Sequence, residues 1–391
     1  MQELIRQKSQ EILNEVVAIR RHIHQNPELS FQEFETSKFV QSKLGEWGIE
    51  FSILSETGVV GFIPSPKEGA DCIGLRADMD ALPILEQNEV EYKSKNEGVM
   101  HACGHDVHTS ILLGTAKILK ELQAELTSNI KLIFQPGEEK LPGGASLMIA
   151  EKVLESPAVD RIYALHVFPE MEKGNIGLKA GMYMASCDEI YLTVKGKGGH
   201  AAMPHQNVDP IYGASKMILA LQESIKSNKP EDVPCVLAFG RIEGLGATNV
   251  IPNEVHIQGT FRTMNEDWRA KAHALIQQKS KEILQEMGGD VDVDIRVGYP
   301  YLENDPNLTE KSREILKNQL GTEHVHDLPL RMTGEDFAYF SQQIPATFIR
   351  LGVRNEAKGI VHPVHNAKFD IDESALSVGV ETFLALSLLG R

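Results

Sequence analysis

Within residues 100–109, MHACGHDVHT, three histidines (His101, His105, His108), one cysteine (Cys103) and one aspartate (Asp106) fall in eight positions. Thiolate, imidazole and carboxylate side by side are the donors that zinc and neighbouring divalent ions accept. Taken alone, the stretch equally suits a polar loop around one buried cysteine, so its chemistry depends on what the fold brings to it. Further donors stand after apolar runs: Gln135-Pro136-Gly137-Glu138-Glu139 follows IKLIF, and His166 ends RIYALHV. His365 lies in IVHPVHNAKFD, after ATFIRLG, and Asp78 and Asp80 follow CIGLRA in RADMDALP. A redox cysteine is disfavoured, since no partner cysteine is near.

The elements that must position these residues read as alternating strands and helices. Short apolar runs at 72–77, 130–134 and 161–167 alternate with helical patterns at 110–122 and 145–154. That alternation implies right-handed crossovers and a mostly parallel sheet, an α/β fold. In such a sheet the loops beyond the carboxyl ends of the strands share one edge. Cys103, His105, Glu139, His166 and His365 are therefore expected on one rim, too many ligands for one tetrahedral ion but suited to two. Adjacent loop side chains point in different directions, so Glu139 can bind metal while Glu138 handles the proton of an attacking water. A structural metal needs no such base, whereas a hydrolytic one does. Asp80 either orients a ligand imidazole or caps its own loop.

Residues 3–25 read as one helix ended by Pro27. Ser30 with Glu33 reads as a capping box opening a second helix that carries Phe34, Val40, Leu44 and Trp47. Near residue 186 the pattern changes to strand, helix, strand, strand, helix, strand, the order of a split βαβ, ferredoxin-like sandwich. The expectation is one α/β domain, 1–185 and 298–391, interrupted by a small α+β domain at 186–297. GEDFAYFSQQ reads as helix and ATFIRLG as strand, with a last helix over about 373–389. In the inserted domain His200 sits in the glycine-rich KGKGGHAAMPHQ, either leaving backbone room for a substrate or as a plain surface histidine. Asn249 and Arg262 read the same two ways. His22, His24, His256, His273, His324 and His326 have no convergent partners.

The chain has 391 residues, 42% apolar, with 39 basic and 55 acidic side chains for a net charge of -16. So acidic a protein lacks the footprint for nucleic acid and is repelled by an anionic membrane. Cysteines at 72, 103, 187 and 235 form no CxxC, the N-terminus has no apolar signal core, and no run is long enough to span a bilayer. A soluble, cytoplasmic protein with free thiols is expected.

RRHIHQNPELSFQEFET, LRADMDALPI, MHACGHDVHT, FQPGEE, GKGGHAAMPH, TGEDFAYF and VHNAKFDIDE together resemble the aminoacylase and carboxypeptidase family of di-metal peptidases. Within it the similarity is to the amidohydrolase branch of hippurate hydrolases and indole-acetyl-amino-acid hydrolases, and it runs from about residue 15 to the C-terminus. By position, the resemblance implies Cys103, His105, Glu139, His166 and His365 as metal ligands and Glu138 as general base. It implies an inserted domain that dimerises, and a His200 that polarises the scissile carbonyl, with Asn249 and Arg262 around the substrate. Two departures stand out: Gly137 where alanine is commoner, and Ala367 where proline is expected. The implied function is hydrolysis of N-acyl or N-aroyl amino acids to a carboxylic acid and an amino acid. Two divalent ions, zinc or manganese ahead of nickel or cobalt, would serve it in a homodimer. A dipeptidase or carboxypeptidase on the same site is the near alternative, and an inactive ligand-binding module the distant one.

Overall fold

The apolar runs around 72–77, 130–134 and 161–167 form the centre of an eight-stranded sheet, where strands covered on both faces must be apolar almost throughout. In the computed structural model, which describes residues 1–390, the strand order is Glu50–Leu54, Gly58–Ile63, Asn129–Gln135, Cys72–Asp78, Arg161–Glu172, Ala346–Arg354, Ile176–Leu178, Val325–Asp327. Cys72–Asp78 pairs in parallel with both neighbours, and Arg161–Glu172 is parallel to Ala346–Arg354. The outer strands at 50–54 and 58–63 are antiparallel. Every residue of Cys72–Asp78 is buried.

Helices Leu13–Gln25, His105–Glu121 and Ala375–Leu388 pack together, the latter two also against the sheet. Their Ile19, Ile111, Leu112, Val380 and Phe383 join Leu75, Leu132 and Ile349 of the strands in one apolar core. The N-terminal helix expected over 3–25 is two helices, Gln2–Glu11 and Leu13–Gln25, joined at Ile12. The segment expected as helix in GEDFAYFSQQ is helical only over Ala338–Ser341.

The capping box is not formed. The Ser30 hydroxyl donates to Asp80 at 2.6 Å, and the Glu33 carboxylate turns inward to other amides. The free N–H groups of helix Phe34–Glu46 are met instead by Glu28, which accepts from Glu35 N and Thr36 N. The 26–33 segment doubles back, so a carboxylate several residues upstream reaches the helix end and frees the local pair for the interior.

The chain divides into two compact units: Met1–Met182 with Glu303–Leu330 and Asp336–Arg391, and Tyr183–Leu302 with Arg331–Glu335. The second contains helices Pro210–Asn228 and Glu266–Glu286 and an antiparallel sheet ordered Cys235–Glu243, Glu254–Thr263, Asp188–Lys195, Asp290–Val297. Counted along the chain, that order is 2-3-1-4, as in a split βαβ sandwich. The unit is wider than the 186–297 expected, and residues 331–335 join it with no change of composition to mark them. Among the described residues no helix is long and apolar enough to cross a membrane.

Candidate metal centre

Gly104 opens the site. Its φ of +88° is left-handed, and a Cβ there would lie 2.6 Å from Val167, so only glycine fits without strain. The turn leaves Cys103 in the loop and makes His105 the first residue of helix His105–Glu121, five residues earlier than the apolar periodicity begins. His105 and His108, three apart on that helix, share one face. They use it differently.

His108 is consumed by structure: Nδ1 pairs with Asp78 Oδ1 at 2.5 Å and Nε2 accepts from Val167 N at 3.0 Å. His105 has Nδ1 held by Asp80 Oδ1 at 3.1 Å, while its Nε2 is buried with no hydrogen-bond partner. His166 donates from Nδ1 to the Val167 carbonyl at 2.8 Å, which aims Nε2 at Cys103 Sγ, 3.4 Å away. A ring nitrogen fixed by a carboxylate or carbonyl, with the other turned inward, is how ligand histidines are oriented.

The donor atoms of Cys103, His105 and His166 lie within 4.8 Å of one another, and so do those of Cys103, Glu139 and His365, and of His105, Glu138 and Glu139. His365 Nε2 is 3.1 Å from Glu139 Oε1, on a backbone with φ of +62°. Overlapping triads of this kind match two neighbouring ions better than one. Electrostatics agree with a cation. Burial alone would lower His105, but Asp78, Asp80 and Glu139 carry it up to about 10. Burial, with Glu139 and Glu138 beside it, pushes the Cys103 thiol well above its ordinary range, so a thiolate there needs a positive partner. Burial, then His108 and Arg350, keeps His166 neutral, the form that ligates. The residues fit a divalent pair.

Asp80 holds the His105 imidazole, and the loop it caps is not its own but the one carrying Glu138 and Glu139. Besides His105, it accepts from Glu138 N at 3.1 Å and Glu139 N at 3.0 Å. One carboxylate thus orients an imidazole and the backbone carrying both glutamates. Burial, the largest single effect, opposes its charge, but the hydrogen bond and charge of His105 with the hydrogen bonds from Ser30 and Glu139 N together lower its pKa.

Beneath the site lies a buried platform that sequence reading did not pick out. Arg76 donates to Gln135 Oε1, Asp78 and Asp336, and Asp336 also accepts from Gln135 Nε2 and Ala145 N. The signal was present: a charged residue inside a strand buried on both faces must be paired, and CIGLRAD holds two. On the far side of the same helix turn Arg20 Nε donates to Asp106 at 2.7 Å, and His24 Nδ1 lies 2.8 Å from the same oxygen. Arg20 also reaches Asp370. His24, which the sequence left without a partner, is fully buried in that network. The i, i+4 spacing of Arg20 and His24 is its only local trace.

His200, Asn249 and Arg262 belong to the second unit. The two-residue strand Gly199–His200 pairs with Val250–Ile251, and Ala201 N donates to Asn249 O, so His200 and Asn249 are backbone neighbours. Arg262 stands opposite Val236 on the strand Glu254–Thr263.

Gly137 explains one departure from the family pattern. Its φ is +56°, and a Cβ would fall 2.3 Å from the Phe31 ring. Gly137→Ala is expected to destabilise the protein by about 1–3 kcal/mol, through overpacking and a left-handed alanine. Urea unfolding measures it, and a neutral result would mean that the ring swings aside.

Residues 74–388 match the model of peptidase family M20/M25/M40. The chain is 40% identical over 364 residues to N-acetyl-L-cysteine deacetylase of Bacillus subtilis, covering 93% of this chain and 85% of that one. It is 36% identical over 394 residues to thermostable carboxypeptidase 2 of Saccharolobus solfataricus, covering 99% and 98%. Among solved structures it is similar to the Bacillus subtilis YXEP protein, a dinuclear metal binding peptidase from the M20 family, with a TM-score of 0.82, 31% identity and coverage of 97% and 99%.

Proposed function

Since the chain belongs to peptidase family M20/M25/M40, we propose that it is a metal-dependent amidohydrolase that cleaves N-acyl amino acids to a carboxylic acid and a free amino acid. One observation carries this reading: Glu138, buried, stands beside the Cys103, His105, Glu139, His166 and His365 cluster on a backbone held by Asp80. An inert binding module has no use for a second, adjacent carboxylate. The similarity to a deacetylase acting on an N-acetyl amino acid supports the substrate class.

Cys103, His105, Glu139, His166 and His365 would hold two divalent ions, with zinc or manganese the best match to the donor set. When bound, such a pair supplies Lewis acidity to water and to the amide carbonyl. Glu138 then removes a proton from the attacking water as its oxygen bonds to the carbonyl carbon. The same carboxyl returns the proton to the amide nitrogen as the C–N bond breaks. His200 donates a hydrogen bond to the oxyanion, and Asn249 and Arg262 flank the substrate. The protein works as a homodimer through the second unit, in the cytoplasm, which suits its four unpaired cysteines.

A panel of N-acetyl, N-benzoyl and N-indoleacetyl amino acids and dipeptides, each assayed with zinc, manganese, cobalt and nickel, tests the reading. N-acyl amino acids are expected to exceed dipeptides in kcat/KM by at least about tenfold, the scale of discrimination available to one apolar pocket. The reverse order would favour a carboxypeptidase or dipeptidase, to which the Saccharolobus relative lends weight. No turnover by metal-loaded protein would leave a binding module.

A further inference from the structure

Glu33 takes part in none of the steps above, yet its carboxyl is fully buried where three segments meet. Oε1 accepts from Phe31 N and from Gly137 N, each at 2.8 Å, and Oε2 accepts from Thr57 Oγ1 at 2.9 Å. With Asp80, this means that the consecutive amides of Gly137, Glu138 and Glu139 all end on buried carboxyl groups. Two acids under one loop is an expensive arrangement. Burial and the charge of Asp80 push Glu33 up to about 7. Nor does Glu33 cap its own helix, whose first turn is served by Glu28.

Gly137 is the weak point of the loop. It is a glycine with φ of +56°, directly before Glu138, and a left-handed glycine has many other conformations open to it. Its amide is the hinge from which the Glu138 side chain hangs. Glu33 Oε1 holds that amide from one side, and the Phe31 ring closes the space a Cβ would fill on the other. We propose that Glu33 is a positioning residue that fixes the Gly137 peptide and so aims the Glu138 carboxylate at the reacting water. The proposal rests on the reading of Glu138 as the base. It does not depend on the charge of Glu33: Oε1 accepts from both amides whether the group is carboxylate or acid, and a glutamine keeps that acceptor.

The test compares Glu33→Ala, Glu33→Asp and Glu33→Gln by two measurements. The first is amide hydrogen exchange of the 134–140 segment in metal-free protein. The second is kcat and KM on the best substrate of the wild type. Glu33→Ala is expected to speed exchange in that segment and lower kcat by about 10–100-fold, the penalty of a misplaced catalytic group, at little changed KM. Glu33→Asp withdraws the acceptor by one methylene, so it should show a smaller loss of the same kind, and it serves if the alanine variant does not fold. Glu33→Gln should restore both readouts. Unchanged exchange at 134–140 in Glu33→Ala or Glu33→Asp overturns the proposal, as does a Glu33→Gln variant as impaired as Glu33→Ala. A wild type inactive on every N-acyl amino acid would sink the functional reading instead, while exchange in the metal-free protein would still decide the role of Glu33.

Discussion

Glu138→Gln is expected to keep its metal and lose at least ~10²-fold in kcat, the usual scale for a missing general base. The change preserves size and removes only the capacity to carry a proton. Glu138 N stays bonded to Asp80 Oδ1, so the loop holds its place. The Cys103, His105, His166 and Cys103, Glu139, His365 triads are left whole, and only the triad that includes Glu138 itself loses a carboxylate. Glu139→Gln makes the opposite cut. Its carboxylate faces His365 at 3.1 Å and shares a triad with Cys103, so its loss should empty part of the site before it affects proton transfer. Metal analysis beside steady-state kinetics separates the two, and matching losses of metal and kcat in both variants would refute the division of labour.

His200→Ala should cost about 10²–10³-fold in kcat, the range for removing one oxyanion donor. Ala202 N donates to His200 Nδ1 at 3.1 Å, which places a ring proton on Nε2, the donor this role needs. In the proposed homodimer this donor would serve the partner subunit's metal centre. Mixing inactive His200→Ala and Glu138→Ala proteins and allowing subunits to exchange should then restore activity. One site of each heterodimer combines an intact Glu138 with an intact His200. Flat activity with exchange verified by mass would return His200 to the role of a surface histidine.

Donor types and element order were legible in the residues because both are local properties. Cysteine, histidine and glutamate announce their chemistry wherever they stand, and apolar runs bounded by Pro and Gly announce strands. The strand, helix, strand, strand, helix, strand order after residue 186 carried the sandwich of the second unit in the same way. Helix starts were less legible where polar first turns serve the site. The helix expected from residue 110 begins at His105 because Asp78 and Asp80 bury its polar face.

What only the tertiary structure decided is which of several similar polar residues meets which partner. His105 and His108 lie in one motif, yet one leaves its Nε2 without a hydrogen bond and the other is spent on Asp78 and Val167. Ser30 and Glu33 have the spacing of a cap, yet serve Asp80 and Gly137. His24 looked idle and lies buried against Asp106. In each case the deciding partner is distant in sequence, 104 residues away for Glu33 and Gly137. A buried polar group takes whichever partner the packed chain brings within hydrogen-bond reach, and sequence spacing carries that choice only when the partner is a near neighbour.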